Sequence, residues 1–235
     1  MRVSIGDPVA DRFPGAAIAV VSLRDVGGWD RGALDADVAA AMREAAVVVE
    51  ARPLADDPRV LAWREAYRLF GVNPKRRRPS AEAMLRRLGD GRAPRTGIPL
   101  VDCYLAVSVR HRLPIGGYDV QRVVGDLCLR LAEAGEPFQP LGAEGPDPTG
   151  AGEVVWSDDA RVLTRCWNWR DSAEAAITEA TRDAVLFAES PAATVTADDM
   201  VACARDLLSM ATTHSGCSGR IGLLDVAAGQ RHVEL

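Results

Sequence analysis

The amino-acid sequence predicts an α+β fold, a sandwich of sheet and helices, and three observations lead there. Short apolar runs with the two-residue period of strands recur along the chain, whereas helices with recognisable start and stop signals crowd the stretch between Asp57 and Pro114. The two kinds of segment do not alternate in a strict strand–helix–strand rhythm, which argues against a doubly wound parallel sheet. Hydrophobic residues make up 48% of the 235 positions, ample for a core, and no repeat or long linker divides them, so a single domain over residues 1–235 is expected.

Taken in order, Met1 to Pro14 is polar and interrupted by prolines, unlike a signal peptide or a membrane span, and a cytoplasmic location is expected. Ala16 to Val21 reads as a buried strand closed by the Gly27-Gly28 turn, and alanine-rich Asp35 to Glu50 as a helix. The next helix is well punctuated. Asp57 can cap its first amides, Pro58 suits the first helical position, and Gly71 suits the left-handed residue that ends it after Phe70. Asn73 to Pro79 forms a basic turn, after which Ser80 is expected to cap a helix running to Leu88. Pro99 to Arg112 predicts a further helix closed by Pro114, and Pro114-Ile115-Gly116-Gly117 reads as a turn whose bare backbone lets a ligand approach. Leu127, Leu129 and Leu131 alternate as a strand, Ala134-Gly135 turns, and Phe138 to Leu141 is expected to return beside it. Gly142 to Gly152 is a loop. Val154–Trp156 and Val162–Thr164 flank Asp158-Asp159 as a hairpin. Ala184 to Ala188 predicts another buried strand, Asp198 to Met210 a helix started by Thr196 or Asp198, and Ile221–Val226 with His232–Leu235 a final β pair.

Charge is distributed unevenly. The net charge is −5, yet Arg59 to Arg95 holds eleven Lys/Arg against three Asp/Glu, which is +8 and leaves −13 for the remainder. Such asymmetry either steers an anionic partner to one face or is only a solvated basic surface. The five cysteines are widely spaced with no Cys-x-x-Cys, which fits reduced thiols rather than disulfides or a zinc site. No Walker loop, dinucleotide fingerprint or metal triad is present, so neither cofactor nor metal is expected.

The chemistry-bearing stretch is Thr164-Arg165-Cys166-Trp167-Asn168-Trp169-Arg170, directly after an apolar alternating run. Two flat indoles, an amide and a cation either line a pocket for a ligand with an aromatic group and an anion, or plug the edge of a core. His111 could position water or merely cap a helix. Asp126 and Glu136 could serve as base or ammonium holder, or lie on turns; Thr178 and Thr181 read as turn residues or ligand contacts. His214-Ser215-Gly216-Cys217-Ser218-Gly219 lacks the Gly-x-Ser-x-Gly elbow and is expected only to link helix to strand.

An ordered set of segments then resembles a known family. Arg64-x-x-Tyr67-x-x-Phe70-Gly71-Val72-Asn73-Pro74-Lys75, Arg78-Pro79-Ser80-x-Glu82-x-x-Leu85, Leu100-Val101-Asp102, Ala106-Val107-Ser108, Leu113-Pro114-x-Gly116-Gly117-x-Asp119, Gly135-Glu136-x-Phe138-x-Pro140-Leu141-Gly142, Gly152-Glu153-Val154-Val155, Trp167-Asn168-Trp169-Arg170 and Ile177-Thr178-x-x-Thr181 are similar to the free-standing relatives of the B3/B4 editing domain of the phenylalanyl-tRNA synthetase β subunit. The likeness spans roughly residues 55 to 190. It implies an α+β fold with a mixed, largely antiparallel sheet packed with helices. It also implies hydrolysis of the ester of mischarged aminoacyl-tRNA in trans by a held water, because a primary site rejects near-isosteres poorly by binding alone.

On that resemblance His111, Asn168 and Arg170 are the expected catalytic group, and Tyr104, Gly116, Gly117, Asp126, Trp167, Trp169 and Thr181 bind substrate. Arg64, Arg68, Lys75, Arg76, Arg77 and Arg78 meet tRNA. Aminoacyl-tRNA is the implied partner, with a synthetase or translation factor beside it, and no membrane. The chain departs from the synthetase pattern where Gly116 replaces a histidine and Tyr104-Leu105 replace a Thr-Asn pair, and the glutamate that reads a tyrosine hydroxyl has no counterpart near Ala173-Glu174; tyrosine specificity does not carry over. Two other readings of the same residues are a non-catalytic RNA-binding module and a pocket for an amino-acid-like ligand.

Overall fold

The computed structural model describes residues 1–235 as ten strands and six helices. Strand β1 (Arg2–Ile5) and short helix α1 (Asp7–Arg12), for which the sequence predicts no element, precede β2 (Ala17–Arg24); Pro8 falls in the first turn of α1, where it costs no hydrogen bond. Helices α2 (Arg31–Ala51), α3 (Pro58–Leu69), α4 (Ser80–Gly89) and α5 (Pro99–His111) follow, then β3 (Ile115–Asp119) and β4 (Leu127–Leu131). The chain continues through β5 (Val154–Ser157), β6 (Val162–Arg165), β7 (Arg170–Asp171), β8 (Ala184–Ser190), α6 (Ala197–Ser215), β9 (Ser218–Asp225) and β10 (His232–Glu234).

Helix ends obey their local chemistry. The Asp57 carboxylate accepts from Arg59 N (2.8 Å) and Val60 N (3.4 Å), Gly71 takes φ +81°, and Thr196 closes a reciprocal capping box with Asp199 at the start of α6. Ser80 is not the cap expected of it. Pro79 occupies that position, and the Ser80 amide, one of the donors a helix start leaves free, is given to the Asn168 side chain (3.4 Å).

Two sheets form. One has the order β10-β1-β4-β5-β6-β7, the other β3-β8-β2-β9, and every pairing is antiparallel except β1 with β4. The Pro-x-Gly-Gly segment is therefore an edge strand rather than a turn, and Gly117 allows it: a Cβ there would sit 2.3 Å from the Val185 carbonyl oxygen. The expected hairpin of β4 with Phe138–Leu141 does not form. β4 is filled on both sides by β1 and β5, and Phe138 buries against Val155 and Val162 instead. Likewise β9 pairs with β2 and β10 with β1, so the expected C-terminal β pair is split between the sheets.

Strand parity sorts the core into layers. Ala17, Ala19, Val21 and Leu23 of β2, with Ala184, Leu186 and Ala188 of β8, face α2, α4, α5 and α6; Ile18 and Val20, with Val185 and Phe187, face the six-stranded sheet and α3. The order is helices, four-stranded sheet, six-stranded sheet. Glu189 continues the Val185–Phe187 face and so places a carboxyl between the sheets.

Candidate functional site

The site is built around the loop between β6 and β7. Thr164 pairs with Asp171 and Arg165 with Arg170, which forces Cys166 to Trp169 into a tight connection with two successive left-handed residues, Cys166 at φ 48° and Trp167 at φ 68°. Such conformations cost about 1–3 kcal/mol each and persist only where surrounding bonds over-determine them. Here Trp167 N donates to Val154 O (2.6 Å) and Trp169 N to Arg165 O (3.0 Å), while buried Glu153 receives Arg165 Nε (3.1 Å), Arg165 Nη2 (2.8 Å) and the Cys166 thiol. Burial alone would raise the Glu153 pKa, but the bonds from Arg165, Cys166 and Gly150 N outweigh it, and the carboxylate stays ionised below the usual range.

The two tryptophans divide the two roles that the sequence leaves open. Trp167 is fully buried and meets Phe13 and Trp63 edge-on, with centroids 4.9 and 5.1 Å apart, so it is a core plug that also shows a face to the cavity. Trp169 is half-buried, with the Arg77 guanidinium 4.7 Å above its ring and Arg170 5.5 Å away.

In front of the loop lies a cavity of about 130 Å³. Gly116 and Gly117 of β3 and Trp167 to Arg170 line it, and Ser80, Trp156, Thr164, Asp171 and Glu189 supply further polar groups. Nothing lies within 4 Å of where a Gly116 Cβ would stand, so bare main chain faces open space.

Glu189 organises the interior. Its Oε1 accepts from Trp156 Nε1 (2.7 Å) and its Oε2 from Asn168 Nδ2 (3.2 Å); Asn168 Oδ1 in turn accepts from Tyr67 OH (2.9 Å). Trp167 Nε1 is directed at the same carboxyl closely enough to lower its pKa yet outside hydrogen-bond geometry, which leaves that N–H unpartnered. Burial prevails over these donors, and Asp171 adds repulsion, so the Glu189 pKa is raised to about 8. Asp171 is also raised by burial, partly offset by the Thr164 hydroxyl that donates to it (2.6 Å) and accepts from Tyr118.

A second, more apolar cavity of about 290 Å³ lies on the helix side of β3. Met84, Val101, Tyr104, Leu105 and Ile177 line it, and it shares Gly117 and Asp171 with the first.

The structure thus brings Asn168, Arg170, Gly116, Gly117, Trp167 and Trp169 to one cavity and puts Tyr104 in its neighbour. It does not bring His111, Asp126 or Thr181 there. His111 closes α5 and bonds Asp206 of α6 (3.1 Å), which helps hold that carboxylate's pKa down to about 2. Asp126 accepts from Arg2 N (2.7 Å) and anchors β1, and buried Thr181 donates to Asp119 (2.8 Å). Glu136 is engaged by both arms of Arg130. Among the basic residues, Arg64 is a bidentate partner of buried Glu82 (2.9 and 2.8 Å), Arg77 turns inward, and Arg68 pairs with Glu65; Lys75, Arg76 and Arg78 are exposed.

Glu189 is absent from the residues that the sequence singles out. A carboxyl ending the wholly apolar run Ala184 to Ala188 was its signal, since an ionisable group on a buried strand needs a reason. Trp156 carried no such mark, and Thr164 and Tyr67, though inside the segments singled out, carried no assigned role.

A two-sheet α+β protein with an internal polar cavity and an adjoining apolar one is the class defined by these features. The chain belongs to the B3/4 domain family, whose sequence model matches residues 62–205. Among solved structures it is similar to an N-terminal fragment of the phenylalanyl-tRNA synthetase β-subunit from Pyrococcus horikoshii, at 13% identity and a TM-score of 0.46, over 93% of this chain and 49% of that one. The chain therefore spans about half the length of that fragment. No curated protein matches. No helix is long and apolar enough to cross a membrane.

Proposed function

We propose that this chain hydrolyses the ester of mischarged aminoacyl-tRNA in trans, with the bond cleaved in the polar cavity and the amino-acid side chain held in the apolar one. Membership of the B3/4 family supports the substrate class. The observation that carries the chemistry is the buried Glu189 carboxyl, held by Trp156 and Asn168 beside bare Gly116 backbone and the exposed Arg170 guanidinium.

In this reading Glu189, as carboxylate, takes a proton from a water whose oxygen adds to the ester carbonyl. Negative charge gathers on the carbonyl oxygen, where the Arg170 cation stabilises it. The acyl C–O bond then breaks, the proton passes to the departing ribose oxygen, and a free amino acid and a tRNA with an intact terminal diol leave. Asn168 orients Glu189, and Tyr67 and the Ser80 amide fix Asn168 in turn. The apolar chamber suits an aliphatic or aromatic side chain.

A panel of tRNAs mischarged with apolar amino acids tests this. Hydrolysis above the buffer rate is expected, climbing as Glu189 deprotonates near pH 8 and falling ~100-fold in Asn168→Ala and Arg170→Ala. Binding of the same tRNAs without turnover by any of them would return the chain to the class of RNA-binding modules.

A further inference from the structure

Four cations of the basic segment make no ion pair, Lys75, Arg76, Arg78 and Arg87, and two of these, Arg78 and Arg87, share one groove. Arg78, Arg86, Arg87 and Arg92 line an open groove of about 710 Å³ beside α4, whose other wall is Val49 and Pro53 to Ala55. Arg78 and Arg87 have no carboxylate partner, Arg86 shares Glu82 with Arg64 while remaining 46% exposed, and Arg92 reaches only Asp90, which also lines the groove. Lys75 belongs to a separate surface depression with Arg68.

Shared residues link the groove to the site. Arg87 lines both the groove and the apolar chamber, and the chamber shares Gly117 and Asp171 with the polar cavity. Helix α4 thus carries cations along the route to the chamber and, at its other end, presents Ser80 to the polar cavity.

Resting on the hydrolase reading above, we infer that this groove holds the phosphates of the single-stranded acceptor end of the tRNA and leads its aminoacylated terminus past Arg87 into the chamber. The ten residues of α4 span about 15 Å, against one phosphate per ~3.4 Å of a stacked strand, so about four phosphates meet this face. The remainder of the chain, at −13, repels a polyanion and leaves the basic side as the approach. Guanidinium forks on an open groove match phosphodiester oxygens without requiring base recognition.

The test is binding of uncharged tRNA, followed by fluorescence anisotropy over a range of salt. Arg78→Gln/Arg87→Gln should weaken binding at least tenfold at low salt and reduce the slope of log K against log salt by about 1.4, at ~0.7 for each single-strand phosphate no longer neutralised. Lys75→Gln/Arg76→Gln should leave the slope near wild type. Neither Arg78 nor Arg87 makes an ion pair, so melting temperature should not move. Wild-type affinity in the first variant, an equal loss in the second, or binding of polyglutamate but not RNA would each overturn the groove assignment. Hydrolysis of a 3′-aminoacyl-adenosine separates the two proposals: Arg78→Gln alone, at a residue that lines the groove and neither cavity, should cleave it at the wild-type rate while its KM for aminoacyl-tRNA rises. If the protein cleaves neither ester, the hydrolase reading falls and the anisotropy arm still decides the groove.

Discussion

At the scale of single residues, Glu189 ties stability to pH as well as chemistry to burial. Its folded pKa near 8 lies above the ordinary carboxyl value, so its contribution is complete below about pH 4.5 and is lost as pH rises through 8, where folding must bury a charge. Glu189→Gln removes that loss. Melting temperatures measured from pH 4.5 to 9 should show the variant gaining a few degrees on wild type across this window, with no further gain above it. Parallel curves would mean that the carboxyl is ionised throughout. Much of this cavity was legible from residue types alone, since Trp167 to Arg170 and Gly116-Gly117 line it together. His111 was not, because a helix end says nothing about which neighbouring helix supplies a carboxylate; Asp206 is ninety-five residues away in sequence.

At the scale of elements, β3 is where local signals misled. Two glycines after a proline look like a turn, but their value here is the absence of Cβ atoms on a strand pressed against β8. Gly117→Ala should strain that pairing by about 1–3 kcal/mol, because the new carbon meets Val185 main chain that cannot give way. Gly116→Ala meets nothing and should fold like wild type while narrowing the cavity. Chemical denaturation of the two variants side by side checks the contrast. Helix α4 depends on Arg64 in a way that its basic surroundings concealed. Removing that guanidinium deprives Glu82, only 3% exposed, of its bidentate partner and leaves it the partly exposed Arg86. Arg64→Ala should therefore cost about 3 kcal/mol in denaturant unfolding, far above the effect of a surface arginine. A change below about 0.5 kcal/mol would return Arg64 to the solvated face.

At the scale of the whole molecule, the strand and helix segments were largely readable from period and capping, but their partners were not. Hairpins join strands close in sequence, whereas β1 inserts between β4 and β10 and β2 between β8 and β9, all pairings across more than a hundred residues. No local pattern encodes them. Central position and burial on both faces make β2 the most protected element, so amide exchange at Ile18 to Val21 should be the slowest in the chain and should track global unfolding. Exchange faster there than in α6 would move the stable centre to the helical layer.

From Ala17 to Val21 β2 is apolar on both faces, so within that stretch register must come from volume: Ala17, Ala19 and Val21 toward the helices, Ile18 and Val20 toward the other sheet. Ser22 and exposed Arg24 are the polar marks that follow. A slip by one residue would keep Ala17 to Val21 hydrophobic and fail there through overpacking on one side and voids on the other, while Ser22 and Arg24 would turn to the helix face. A nascent chain therefore discriminates the alignment of this stretch by fit more than by polarity, and a misaligned β2 would be a compact species that still hides most of its apolar surface.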